Sequence, residues 1–163
     1  MIFEEYVKEN KDWFLWKVKE IASVLSINPE WLMFTMKFES GINPKKVNQI
    51  SNATGLIQFM PSTARELGTS NEGLLKMSNV EQLDFVYKYL KRYKGRMKRW
   101  IDVYLAVFYP AAIGKGDNYV IKSDLVAKQN QIFDLNKDLD ISVDEIKKVL
   151  QEHIPKEYRY LFP

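Results

Sequence analysis

The sequence contains no cysteine and only one histidine, His153, near its C-terminal end. Without thiols there is no disulfide framework, no thiolate metal site and no cysteine nucleophile. A single histidine argues against a histidine-dependent triad and against a zinc centre. Seven glycines and six prolines in 163 residues leave no low-complexity linker. No apolar run approaches the roughly 20 residues that cross a bilayer. The opening MIFEEYVKENKDW is acidic and lacks the basic start and apolar core of a secretory signal. Charge of one sign is also scarce. The net charge is +3, and only Lys88 to Arg99 concentrates basic residues. That stretch reads as a solvated helix face in preference to a nucleic-acid surface, because base-reading motifs are absent.

What is present is a helical pattern with enough apolar residues, 46%, for one compact core. Residues Phe3, Tyr6, Val7, Trp13, Phe14, Ile21 and Leu25 recur at helical spacing. A second helix has Asn28 as its cap, Pro29 in its first turn and Gly41 at its end. A loop is expected from Ile42 to about Ala53, then a short helix from Pro61 closed by Gly68. Ser78 or Asn79 caps a longer helix with the buried stripe Val80, Leu83, Val86, Tyr87, Leu90 and Tyr93. Another helix is expected over about Ile101 to Phe108, and a last one over about Val143 to His153. No β-hairpin signal and no internal repeat stands out. The reading is a mainly α single domain over residues 1–163.

Glu39 falls in the last turn of the Pro29 helix, with Leu32, Thr35, Met36 and Phe38 around it. Apolar neighbours and the negative end of the helix dipole both disfavour a carboxylate, so a raised pKa is expected. A carboxylic acid kept protonated is what glycosidic cleavage needs, since the leaving oxygen must gain a proton. A surface glutamate ending an amphipathic helix is the plainer alternative.

The segments that follow tip this balance. Glu39-Ser40-Gly41-Ile42-Asn43-Pro44, then Gly55-Leu56-Ile57-Gln58-Phe59-Met60-Pro61-Ser62-Thr63-Ala64, closely resemble the two signature blocks of the soluble lytic transglycosylases. The resemblance is sharp up to about Gly68. It implies a lysozyme-like helical fold and cleavage of the MurNAc–GlcNAc β-1,4 bond of peptidoglycan glycan strands. It also implies that Glu39 serves as catalytic acid and base, with Ser40 and Asn43 supporting its loop. Gln58 and Met60 would line the sugar cleft, and Gly55 would allow a close backbone approach. For Met60, packing under the Pro61 helix is an equal alternative.

The third family block, usually A-Y-N-A-G, is altered here to Leu105-Ala106-Val107-Phe108-Tyr109-Pro110-Ala111-Ala112. Tyr109 stands where the asparagine is expected, with Tyr104 nearby to help. The closing block around Ile154 to Tyr160 resembles the one that supplies a tyrosine to the glutamate. Tyr160 is the first choice and Tyr158 the second, with burial in the terminal segment as the alternative for both. The family's reaction needs one carboxylate and forms a 1,6-anhydromuramic ring, and no Asp or Glu occurs from Ser40 to Arg65. Two-carboxylate hydrolysis, of the lysozyme or muramidase kind, remains the runner-up, with Asp102 or Asp117 as distant candidates for the second group. A glycan-binding module without activity is a third reading.

The run Asp134 to Glu145 fits an EF-hand loop, with Asp134, Asn136, Asp138, Asp140, Ser142 and Glu145 at the ligand positions. Leu139 occupies the position where the sharp turn normally takes glycine. The expectation is a structural Ca2+; the alternative is an acidic turn whose Ser142 and Glu145 form a capping box. No organic cofactor, nucleic-acid partner or membrane span is expected, and the protein is read as a monomer. The expected place of action is the bacterial cell wall, reached through phage lysis or virion machinery, as for an endolysin.

Overall fold

The computed structural model describes all 163 residues, and its contacts fall into two compact units, Met1–Gly95 and Arg96–Pro163. The chain is mainly helical, as expected. No helix is long and apolar enough to cross a membrane.

The first unit holds α1 (Lys11–Leu25), α2 (Pro29–Ser40), α3 (Pro61–Glu66), α4 (Asn71–Leu75) and α5 (Asn79–Leu90). Helix α1 packs against both α2 and α5. Phe14, Val18, Ile21 and Leu25 of α1 are buried with Leu32, Met33 and Met36 of α2 and Leu83, Val86 and Leu90 of α5. Lys17 reinforces the α1–α5 contact by donating to the Val80 carbonyl and pairing with Asp84, both at 2.8 Å. The helix expected from Phe3 onward is interrupted. A 3-10 turn at Glu4–Tyr6 is followed by extended Val7, and Asn10 takes a left-handed conformation before α1 begins. The apolar residues before the break, Ile2 and Val7, are buried, so spacing alone mimicked a continuous helix.

The caps of α2 and α5 follow their sequence signals. The Asn28 side chain accepts from the Glu30 amide, Pro29 opens α2, and Gly41 ends it at φ 68°. Ser78 and Glu81 form a full capping box on α5. The basic stretch after Tyr87 is a solvated face: Lys88 lies over the Phe85 ring, and Arg92 pairs with Glu66 beside the Tyr89 ring.

The second unit holds α6 (Trp100–Phe108), β1 (Val120–Ile121), α7 (Asp124–Gln129), β2 (Ile141–Ser142) and α8 (Val143–Glu152). Strands β1 and β2 pair antiparallel, Ile121 opposite Ile141, a short ladder that the sequence did not announce. Every residue of α6 from Trp100 to Ala106 is buried, so this helix is enclosed on all sides.

Charge fastens α6 to its surroundings. Asp102, 1% exposed, accepts from the amides of Lys98, Arg99 and Gly114. Arg99 reaches Asp117 at 2.8 Å, and Lys147 of α8 reaches the other Asp117 oxygen at 3.0 Å. Partial burial works to raise the Asp117 pKa, but hydrogen bonds and charge from Lys147 and Arg99 outweigh it and hold the carboxyl below its ordinary value. A depressed native pKa adds stability above the unfolded value, near 3.9, and loses it as pH falls through the native one. Because Asp117 is two-fifths exposed, the contribution is small, under about 1 kcal/mol. Urea midpoints measured against pH should show Asp117→Asn slightly less stable at neutral pH, converging with the parent protein in acid.

Candidate active site

Glu39 sits one residue before the end of α2 and is half-buried. The chain then turns sharply. Gly41 donates to the Lys37 carbonyl and Ile42 to the Met36 carbonyl, at 2.9 and 3.2 Å. Ile42 does this at φ 58°, a conformation costly for a β-branched residue, and its side chain is 3% exposed. Burial of that side chain holds the strained turn in place.

The second signature block folds as a tight hairpin. Thr54 and Phe59 exchange both backbone hydrogen bonds, and Gly55-Leu56-Ile57-Gln58 make the turn between them. Both ends of that turn are left-handed, Gly55 at φ 84° and Gln58 at φ 56°. The Gln58 side-chain amide donates to the carbonyls of Gly55, at 3.0 Å, and Lys46, at 3.2 Å. Its role is thus at least partly to brace its own turn, with the side-chain carbonyl left to accept from a ligand. Met60, 45% exposed, leads into α3 and is open to contact.

Two side chains join these blocks. The Ser40 hydroxyl, in a residue 4% exposed, lies 2.8 Å from the Leu56 carbonyl and 3.0 Å from that of Met36. Ser40 thereby ties the end of α2 to the hairpin. The Leu56 amide in turn donates to Gln82 Oε1 at 2.7 Å. Gln82, fully buried on α5, donates its amide nitrogen to the carbonyls of Pro44 and Leu74 at 3.0 and 3.1 Å. Sequence reasoning missed Gln82, although a glutamine one turn before Val86 on an apolar stripe was the available signal. The close approach expected at Gly55 exists, but what approaches is Gln82: a Cβ there would lie 2.4 Å from its Oε1.

The second unit holds the tyrosines. Tyr104 is 2% exposed, stacked on Phe108 at 5.7 Å and edge-on to Phe133 at 6.0 Å. It is buried among these rings. Tyr109 is half-buried and ends α6, its amide bonded to the Leu105 carbonyl. Tyr160 is 77% exposed in the 3-10 segment Lys156–Leu161, whereas Tyr158 is half-buried. A side chain so exposed has few neighbours to orient it, which reverses the order of these two.

Asp102 and Asp117, the distant candidates for a second carboxylate, are both committed to the hydrogen bonds and ion pairs around Arg99.

In the acidic loop, Lys137 and Leu139 take φ 59° and 66°, the left-handed turn anticipated at Leu139. The Asp134 carboxylate accepts from the amides of Asp138 and Leu139, and Asp138 accepts from Asp140 and Asn136. Glu145 accepts from the Ser142 and Leu135 amides and completes a capping box on α8. No group of three or more Asp, Glu or His side chains converges as a ready metal cluster.

Gln82→Leu would leave the Leu56 amide and the Pro44 carbonyl without this partner, while the Leu74 carbonyl keeps the Met77 amide, at a cost of about 2–4 kcal/mol. Gly55→Ala combines a left-handed φ with the collision against Gln82 and should cost at least about 1 kcal/mol. Urea denaturation with an unchanged slope checks both, and a loss below about 0.5 kcal/mol for Gln82→Leu would show that the bridge is dispensable.

No solved structure gives a significant match to this fold. The family described as Transglycosylase SLT domain matches residues 17–131, a span that includes both signature blocks, Gln82 and the altered third block. With most of the chain covered and both blocks folded against each other through Ser40, Leu56 and Gln82, the protein belongs to the SLT-domain family of peptidoglycan lytic transglycosylases.

Proposed function

We propose that the protein cleaves the β-1,4 bond between N-acetylmuramic acid and N-acetylglucosamine, with Glu39 as the single catalytic acid and base. The observation that carries this reading is the locked pair of loops. The end of α2 bearing half-buried Glu39 is held against the Gly55–Gln58 hairpin by buried hydrogen bonds, so the acid is presented on a rigid support. In this reading Glu39 protonates the leaving glycosidic oxygen, and the substrate's acetamido group stabilises C1. The carboxylate then takes the proton of the C6 hydroxyl as that oxygen bonds to C1, closing a 1,6-anhydro ring. Gln58 and Met60 contact the sugars, while Tyr109 stands in the sequence where the family has an asparagine. The site of action is the cell wall.

Hydrolysis is the second reading, but it needs a carboxylate to activate water. Engagement of Asp102 and Asp117 in structural bonds supports the anhydro-forming route. Mass spectrometry of products released from purified peptidoglycan separates the two. Anhydromuramic ends are expected, with release lowered about 10²–10⁴-fold in Glu39→Gln at unchanged stability. Reducing ends would make the enzyme a hydrolase. No release from folded wild-type protein would leave a glycan-binding module.

Calcium in the loop Asp134–Glu145 belongs to the same proposal, as a structural ion. All-oxygen donors suit a hard cation, and the turn at Leu139 has the backbone conformation such a loop requires. Asp134, Asn136, Asp138 and Asp140 would hold the ion. Glu145 would join by leaving the Leu135 and Ser142 amides. Added Ca2+ should raise the Tm and chelator should lower it again. Leu139→Gly should stabilise the protein by about 1 kcal/mol by relieving the left-handed strain. A Tm indifferent to Ca2+ would leave the loop as a helix cap only.

A further inference from the structure

The first ten residues lie before the matched family span, yet they are fastened to the catalytic helix. Ile2 is fully buried, and its amide donates to Glu30 of α2 at 2.8 Å. Phe3 packs against Phe34, and the Lys37 ammonium lies 4.2 Å from the centre of the Tyr6 ring. Farther along, the Glu9 carbonyl accepts from Asn79 at 2.6 Å, and Asn10 donates to the same side chain at 3.2 Å. The segment is thus a strap tied to α2 and to the start of α5.

Between this strap and the loop after Glu39 lies an open cavity of about 400 Å3. That volume is within the roughly 300–1,000 Å3 of small-ligand sites. Tyr6, Lys8 and Glu9 form its strap side, while Ile42, Asn43 and Lys45 are prominent on the loop side. The ion pairs of this unit are Met1–Glu4, Lys11–Glu4, Lys17–Asp84 and Arg92–Glu66. None of them neutralises Lys8, Glu9 or Lys45. Lys8 bonds the Glu5 carbonyl, and Lys45 bonds the carbonyls of Leu75 and Met77, so these bonds pair neither with a carboxylate.

A neutral acetamido sugar gives two ammonium groups and a carboxylate nothing to pair with. A short peptide carrying carboxylates and a free amine does, and peptidoglycan bears such peptides on its muramic acid. We propose, resting on the cell-wall reading above, that this cavity binds the peptide stem of the substrate. Lys8 and Lys45 meet its carboxylates, Glu9 meets its amine, and Tyr6 with Ile42 packs on its aliphatic parts. Because the loop wall begins at Ser40, an occupied cavity restrains the turn that carries Glu39. Stem binding therefore favours cleavage of peptide-bearing strands.

The test compares kcat/KM on peptide-bearing glycan strands and on strands stripped of stems by an amidase, together with calorimetric titration of a free stem tetrapeptide. The wild type should prefer peptide-bearing strands by on the order of tenfold, the equivalent of one good ionic contact. In Lys8→Glu, at an exposed position, that preference should fall to within about twofold and tetrapeptide binding should be lost. Its rate on stripped strands should stay unchanged. Equal wild-type rates on both strands, or full preference kept in Lys8→Glu, would overturn the inference while leaving Glu39 catalysis intact. Tetrapeptide binding that depends on Lys8, with neither strand cut, would keep the cavity's ligand and reject the cleavage reaction instead.

Discussion

The arrangement around Glu39 depends on one buried amide. Gln82 donates twice and accepts once, and its three partners belong to three different segments: Pro44 after α2, Leu56 in the hairpin and Leu74 at the end of α4. The Leu74 carbonyl also accepts from the Met77 amide, but the Leu56 amide and the Pro44 carbonyl lie outside any regular ladder. The Leu56 amide, which is buried, would otherwise carry the full cost of desolvation. A loop-rich active region can be buried only if something supplies its missing hydrogen bonds, and here one side chain supplies three. Ser40 completes the scheme by taking the Leu56 carbonyl, so that residue has both its polar backbone groups satisfied by side chains.

This explains which features were legible in the sequence. Local rules governed the ends of α2, α5 and α8, because a cap is decided by residues three or four apart, and Asn28, Gly41, Ser78 and Ser142 all behave as their neighbours dictate. The signature blocks were legible as a resemblance. Their joint by Gln82 was not, since a polar residue on an apolar stripe says only that a partner exists, and the partner here is 26 residues away. The strand pair Val120–Ile121 with Ile141–Ser142 was invisible for a similar reason: two residues carry no periodicity. Tyr104 and Tyr160 were selected by nearness in sequence to family positions, and burial put one in the core and the other in solvent.

The two units solve the problem of fixing irregular backbone with different chemistry. In the first, neutral amides and hydroxyls bind the two loops, Gln82 and Ser40 supplying the hydrogen bonds. In the second, ionic groups do the fastening: Asp102 gathers three amides, and Asp117 bridges Arg99 and Lys147. Charges so committed are poor candidates for chemistry. An aspartate that leaves its arginine to activate water would release buried donors and lose the contacts that hold α6.

Backbone strain occurs in both units, at Lys137 and Leu139 in the second and at two loop positions of the first. Ile42 and Gln58 are not glycines, yet both stand in the left-handed region, on the two loops that Ser40 and Gln82 join. Each such residue costs on the order of 1–3 kcal/mol and persists only where surrounding contacts outweigh it. The contacts that do so are the ones already named: the buried Ile42 side chain, the Gln58 amide on Gly55 and Lys46, and the Gln82 bridge. A relaxed loop would satisfy its backbone more cheaply, but it would let the end of α2 fray, as helix termini do when uncapped. Holding strained turns on both sides of the acid removes that freedom. The stability spent there is the cost of keeping the end of α2, with Glu39 on its last turn, in one place.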